Sequence, residues 1–171
     1  MIAIGGAGMS VIAELLLAQG HQVSGSDQTD SAVLARLRSR GARVHVGHDP
    51  AHVAHLGPRD LVVVSTAVAA DNIEWRAATD AGVPVVHRSQ ALALVAEGKD
   101  FVAVAGTHGK TTTAAMLAVG LREAGCDPSF AVGGRVVALD TGAHLGAGRV
   151  FVAEADESDG SFVNYSPQVA I

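Results

Sequence analysis

Phe101-Val102-Ala103-Val104-Ala105-Gly106-Thr107-His108-Gly109-Lys110-Thr111-Thr112 passes from an apolar run into a turn bracketed by glycines, then into the Ala/Leu-rich stretch 111–124. The apolar run reads as a buried strand, and the stretch after the turn as a helix stopped by Gly125. A strand, a Gly-rich turn and a helix start bring several backbone N–H groups to one point, where the helix N-terminus adds partial positive charge. Such a cradle suits phosphate oxygens. Lys110 is placed to reach terminal phosphates and the Thr111 hydroxyl to meet Mg²⁺. The full G-x-x-x-x-G-K-[ST] pattern asks for glycine at 104, where Val104 stands, so the loop is the shorter G-x-x-G-K-T from Gly106. A lysine directly after the turn is harder to explain by packing alone.

Downstream, Glu154-Ala155-Asp156-Glu157-Ser158-Asp159 follows an apolar strand predicted over 149–153. A carboxylate at the C-terminal end of a strand beside a phosphate loop is where a divalent cation is held, and Glu154 is the candidate. Asp156, Glu157 and Asp159 suit second contacts to a metal, contacts to a substrate, or a solvated turn.

Upstream, the same alternation has already run once. Strands are predicted over 2–4, from 22 to 24, and over 43–46, 61–64 and 84–86; helices over 9–19, 31–40, 72–80 and 90–97. Gly98-Lys99-Asp100 is a polar hinge, after which the pattern restarts. The fold class is therefore α/β. A Rossmann-like parallel-sheet domain over 1–98 is followed by the start of a phosphate-loop ATPase-type domain over 99–171. About seventy residues are few for a complete sheet of that second kind, so the chain reads as a fragment.

Gly5-Gly6-Ala7-Gly8 follows the first strand and opens a helix, and Asp27 closes the second strand. That is the position of a ribose-binding acid in a dinucleotide fold. The third glycine of G-x-G-x-x-G is replaced by Val11. A diphosphate-bearing ligand such as a UDP-sugar, a dinucleotide, and a plain tight turn all remain open on these residues.

Composition closes other classes. Twelve basic against seventeen acidic residues give −5, with no basic stripe for nucleic acid. No segment reads as a signal peptide or membrane span, and one cysteine, Cys126, permits no intrachain disulfide; a cytoplasmic setting follows as the simpler expectation. His45, His48, His52 and His55 lie close together, with His48, His52 and His55 able to share a helix face. No cysteine and no carboxylate except Asp49 joins them at ligand spacing, so surface histidines are expected rather than a metal site.

Ile4-Gly5-Gly6-Ala7-Gly8-Met9-Ser10, the run 105–113 and the run 154–159 together resemble signatures of the UDP-N-acetylmuramate–L-alanine ligase family of Mur ligases. Ser24-Gly25-Ser26-Asp27, Ser65-Thr66-Ala67-Val68 and Val132-Gly133-Gly134 fall in the same order. The family usually has glycine where Ala3 and Val11 stand. The resemblance implies ATP-dependent phosphorylation of the muramate carboxylate, then attack by the amine of L-alanine on the acyl phosphate, in cytoplasmic peptidoglycan synthesis.

It implies Gly106, Thr107, His108, Gly109, Lys110, Thr111 and Thr112 around ATP, with Lys110 and His108 at the reacting phosphate, and Thr111 and Glu154 on Mg²⁺. It also implies Gly5, Gly6, Gly8, Asp27, Ser65, Thr66, His87 and Arg88 around UDP-N-acetylmuramate. Family members are more than twice this length and have three domains, so turnover by these residues alone is not expected. A related ligase that adds a peptide, and a dinucleotide-binding redox or sensor module, are the alternatives.

Overall fold

The computed structural model describes residues 1–155 and 160–171. They form two compact units, Met1–Ala91 and Leu92–Ile171.

In the first unit, β1 (Ser24–Asp27) pairs in parallel with β2 (Arg43–Val46), and β3 (Val62–Val64) with β4 (Val85–His87). The opening residues join the two pairs. Ile2 bridges Ser26 in parallel, and its N–H donates to Val63 O at 3.0 Å; Ile4 N–H donates to Ser26 O at 3.0 Å. The tracks thus run β2, β1, opening segment, β3, β4, the order of one half of a doubly wound sheet and the first two strands of the other.

The strand predicted over 2–4 is not regular, because Ala3 sits at φ 58°. The kink also explains a packing fact. Ile2 and Ile4, two residues apart, would share one face of a regular strand. Instead Ile2 packs with Val53, Val62, Val64, Ala78 and Val83, and Ile4 with Ala13, Val23, Leu34, Leu37 and Ala42. One irregular segment therefore feeds the apolar layers on both faces of the sheet.

Helices cover both layers. α1 (Ala7–Ala18) and α2 (Ala32–Ser39) contribute to the Ile4 layer; α3 (Ile73–Asp80) contributes to the Ile2 layer; α4 (Arg88–Val95) follows β4. Ser31 Oγ caps α2 by accepting from Leu34 N–H, and Asn72 Oδ1 caps α3 by accepting from Glu74 and Trp75 N–H. Each cap satisfies helix-end donors that would otherwise lack a partner. Glu14 of α1, 2% exposed at its side chain, holds Arg36 at 2.7 Å and Arg40 at 2.8 Å, tying α1 to the C-terminal end of α2.

In the second unit, β5 (Asp100–Val104), α5 (Lys110–Glu123), β6 (Ser129–Val136), β7 (Thr141–His144), β8 (Val150–Glu154) and β9 (Val169–Ala170) build one sheet in the order β7-β6-β8-β5-β9. All pairings are parallel except β6 with β7. Val102, Val104, Ala114, Ala118, Phe130, Val132, Val136 and Val152 form the core between α5 and the sheet. The starts of β5 and β8 are tied together. Lys99 Nζ donates to Gly146 O at 2.8 Å and Gly148 O at 2.6 Å, and Arg149 pairs with Asp100 at 3.1 Å. Among the described residues, no helix is long and apolar enough to cross a membrane.

Candidate functional site

β5 ends on the buried Val104, and the chain turns through Gly106 at φ 126° and Gly109 at φ 83° into α5, which begins at Lys110. Both glycines occupy backbone conformations that a side chain disfavours, which lets the loop curl back over the helix start. Thr107, His108, Thr111 and Thr112 are exposed around this turn. Lys110 Nζ donates to Gly106 O at 2.7 Å, folding the lysine over the loop.

β8 is the parallel neighbour of β5, with Glu154 paired opposite Val104. Thr111 Oγ1 donates to Glu154 Oε2 at 3.1 Å, and Gly133 N–H donates to Glu154 Oε1 at 2.8 Å. Two hard oxygen donors 43 residues apart thus meet beside the loop, a donor set that suits Mg²⁺. The loop, Lys110, Thr111 and Glu154 come together. Asp156, Glu157 and Asp159 lie outside the described residues.

The part of Gly133 and Gly134 is not readable from composition. A Cβ on Gly134 would lie 3.5 Å from Thr111 Cγ2, and Gly133 orients Glu154 through its backbone. The signal is the Gly-Gly pair itself, two residues of weak strand propensity inside a strand.

In the first unit, the expected nucleotide-sugar residues lie at the carboxyl ends of the parallel strands. Gly5 N–H donates to Asp27 Oδ2 at 2.8 Å, and Asp27 Oδ1 accepts from Gln28 N–H at 2.8 Å. A Cβ on Gly5 would stand 2.8 Å from Asp27 Oδ2, so only glycine allows this approach. Gly6 caps α1, and the Arg88 guanidinium packs over Gly8, 3.2 Å from where a Cβ would be. Ser65 and Thr66 follow β3; His87 ends β4, with Nδ1 2.9 Å from Ser89 Oγ. The glycine turn lies where the strand order reverses, between the opening segment and β3, the place where open α/β sheets take their ligands.

The histidines correct an expectation. His52 lies in a short 3-10 turn, Pro50–His52, so His48, His52 and His55 share no α-helical face. His45, His48 and His52 are half-buried, and His45 stacks on His52 with centroids 4.0 Å apart. The carboxylate they meet is Glu74, 1% exposed on α3. Glu74 accepts from His52 Nδ1 at 2.7 Å, His48 Nδ1 at 3.1 Å, Asp49 N–H at 3.2 Å and, by a short contact, the Ser26 hydroxyl.

Burial pushes the Glu74 carboxyl up, but these hydrogen bonds from Ser26, His52, Asp49 and His48 outweigh it and hold the group below its ordinary range. Burial, with His52 and Arg43 nearby, lowers His45. Among the described residues no group of three or more His, Cys, Asp or Glu is arranged to hold a metal. The histidines were grouped in the sequence but their partner was hidden, because Ser26, His48, Asp49 and His52 each lie 22 to 48 residues from Glu74.

Comparison with known proteins follows the same lines. The model of the Mur ligase family, catalytic domain, matches residues 1–100. A UDP-N-acetylmuramate–L-alanine ligase from Renibacterium salmoninarum is 59% identical over 99% of this chain, and one from Kineococcus radiotolerans 55% identical over its whole length. In each case the match covers 36% of the relative, so the chain spans about a third of those proteins.

Among solved structures, a UDP-N-acetylmuramate:L-alanyl-γ-D-glutamyl-meso-diaminopimelate ligase from Neisseria meningitidis superposes with TM-score 0.90 at 32% identity, covering 99% of this chain and 57% of that one. A UDP-N-acetylmuramate–alanine ligase from Thermotoga maritima gives 0.84 at 29% identity, covering 99% and 39%. With a family model matching more than half its residues, the chain belongs to the Mur ligase family.

Proposed function

We propose that these residues form the UDP-sugar-binding and ATP-binding parts of an ADP-forming ligase that joins L-alanine to UDP-N-acetylmuramate in cytoplasmic peptidoglycan synthesis. The observation that carries the reading is Thr111 Oγ1 at 3.1 Å from Glu154 Oε2, beside a glycine turn folded over by Lys110. The names of the sequence relatives supply the substrates.

In this reading the N–H groups from Gly106 to Thr112 receive the phosphates of ATP. Lys110 leaves Gly106 O for the terminal phosphate and spreads its charge, and His108 lies at the loop tip. Thr111 and Glu154 hold Mg²⁺, which when bound neutralises phosphate charge. The chemical need is an acyl donor. A carboxylate is inert toward an amine at neutral pH, and phosphorylation gives it a leaving group, so the protein's part is mostly positioning and charge neutralisation. In the first unit, Gly5, Gly6 and Gly8 bring the start of α1 to the diphosphate, Arg88 faces it, and Asp27, Ser65, Thr66 and His87 line the same strand ends.

Isothermal titration of the chain with ATP in Mg²⁺ and with UDP-N-acetylmuramate tests both halves. Lys110→Ala removes a charge-assisted contact worth about 1.5–3 kcal/mol, so ATP affinity is expected to fall about 10- to 100-fold with UDP-N-acetylmuramate affinity unchanged. Thr111→Ala is expected to weaken ATP binding in Mg²⁺ and much less in EDTA. Tight NADH binding with no UDP-sugar binding would instead establish a dinucleotide module. The Neisseria structure favours a second reading, a ligase that adds a peptide to the same nucleotide sugar. ADP release from the full-length protein with the tripeptide, and none with L-alanine, would select it.

A further inference from the structure

The Ser26–His48–His52–Glu74 cluster has no part in the site as described so far. It joins three pieces of the first unit: the end of β1, the crossover after β2, and the start of α3. Its hydrogen-bond logic fixes a proton. The single Ser26 hydroxyl hydrogen goes to Glu74, so Ser26 Oγ can only accept from His48 Nδ1, 3.0 Å away. Ionised Glu74 also only accepts, at 3.1 Å from the same nitrogen. Both neighbours of His48 Nδ1 are acceptors, so Nδ1 carries the hydrogen. In the neutral ring Nε2 is then the acceptor, on the side turned away from the cluster.

The place of His48 gives this consequence. Asp27 pairs with Val46, Gly47 N–H donates to Asp27 O at 2.7 Å, and His48 is the next residue. It stands just beyond the carboxyl end of β2, on the edge that carries Asp27 and the Gly5 turn, and its ring keeps 15% exposure. Resting on the nucleotide-sugar reading above, we propose that Glu74 is a positioning residue of that site, fixing His48 so that Nε2 accepts a hydrogen bond from the nucleoside portion of the ligand. A ribose hydroxyl and a base imide N–H both offer such a donor, whereas the fully ionised diphosphate bridge of a nucleotide sugar does not.

The test compares UDP with inorganic diphosphate by isothermal titration on the whole chain. Glu74→Gln puts a donor beside His48 Nδ1, and His48→Ala removes the acceptor. Each is expected to weaken UDP about tenfold and leave diphosphate within about twofold, and the double variant is expected to lose no more than either single one. ¹⁵N spectra of the wild type are expected to show His48 as the Nδ1–H tautomer, with Nε2 shifting on addition of UDP but not of diphosphate. These spectra and His48→Ala carry the test if Glu74→Gln does not fold. UDP affinity unchanged in His48→Ala, equal losses for UDP and diphosphate, or an Nε2–H tautomer would overturn the proposal. Failure of the wild type to bind either ligand would remove the nucleotide-sugar reading and this proposal with it.

Discussion

Ala3 shows how much one side chain can say. Its φ of 58° is a left-handed conformation that costs an L-residue roughly 1 kcal/mol over glycine, and it is what sends Ile2 and Ile4 into different layers. The glycine that the family resemblance leads one to expect at this position fits that backbone geometry. Ala3→Gly is expected to stabilise the chain by about 0.5–1 kcal/mol, read as a rise in the thermal unfolding midpoint, with the fold unchanged. Gly5 is legible in the same terms, since its turn was visible in the sequence. The bond to Asp27 that makes glycine necessary there was not visible, because it spans 22 residues.

At the scale of elements, sequence and structure agree wherever apolar runs are long or capping residues stand at the ends. α5, β8 and the helices that Ser31 and Asn72 open were all legible. β6 and β7 were not. They contain Gly133, Gly134 and Gly142, which have little strand propensity and break up the apolar pattern, and β6 pairs in parallel with β8. The clamp between α1 and α2 was hidden by distance along the chain: the two arginines of Glu14 come 22 and 26 residues later. Glu14→Ala removes both pairs and leaves the arginines half-exposed to water. The cost is expected to be about 1–2 kcal/mol in a denaturant titration, well short of a fully buried pair.

For the whole molecule, the perturbed groups that titrate below pH 8 give one sign. The Met1 amino group, buried and lowered from 8.0 to about 6, and His45, lowered from 6.5, both favour their neutral forms when folded. Glu74, Asp30, Asp100 and Asp127 are lowered as well, favouring their charged forms. A group depressed in the folded state stabilises above its unfolded pKa and loses that contribution as pH falls through its folded value. Unfolding midpoints are therefore expected to decline gently from pH 8 to 6 and again, more steeply, below about pH 4.5. Glu74→Gln is expected to flatten the acid limb in a pH series of thermal melts.

The ties at the foot of the second sheet bear on that arrangement. Lys99 with Gly146 and Gly148, and Asp100 with Arg149, set β5 and β8 level where both strands begin. Five residues after Arg149, β8 delivers Glu154 opposite Val104 of β5, and the turn that follows β5 leads to Thr111 at the start of α5, where the two side chains meet. A slip of one residue between them would carry Glu154 about 3.3 Å along and turn its carboxylate to the opposite face. The meeting of Thr111 with Glu154 is thus gauged from the far end of the sheet, as a ruler is read from its zero mark.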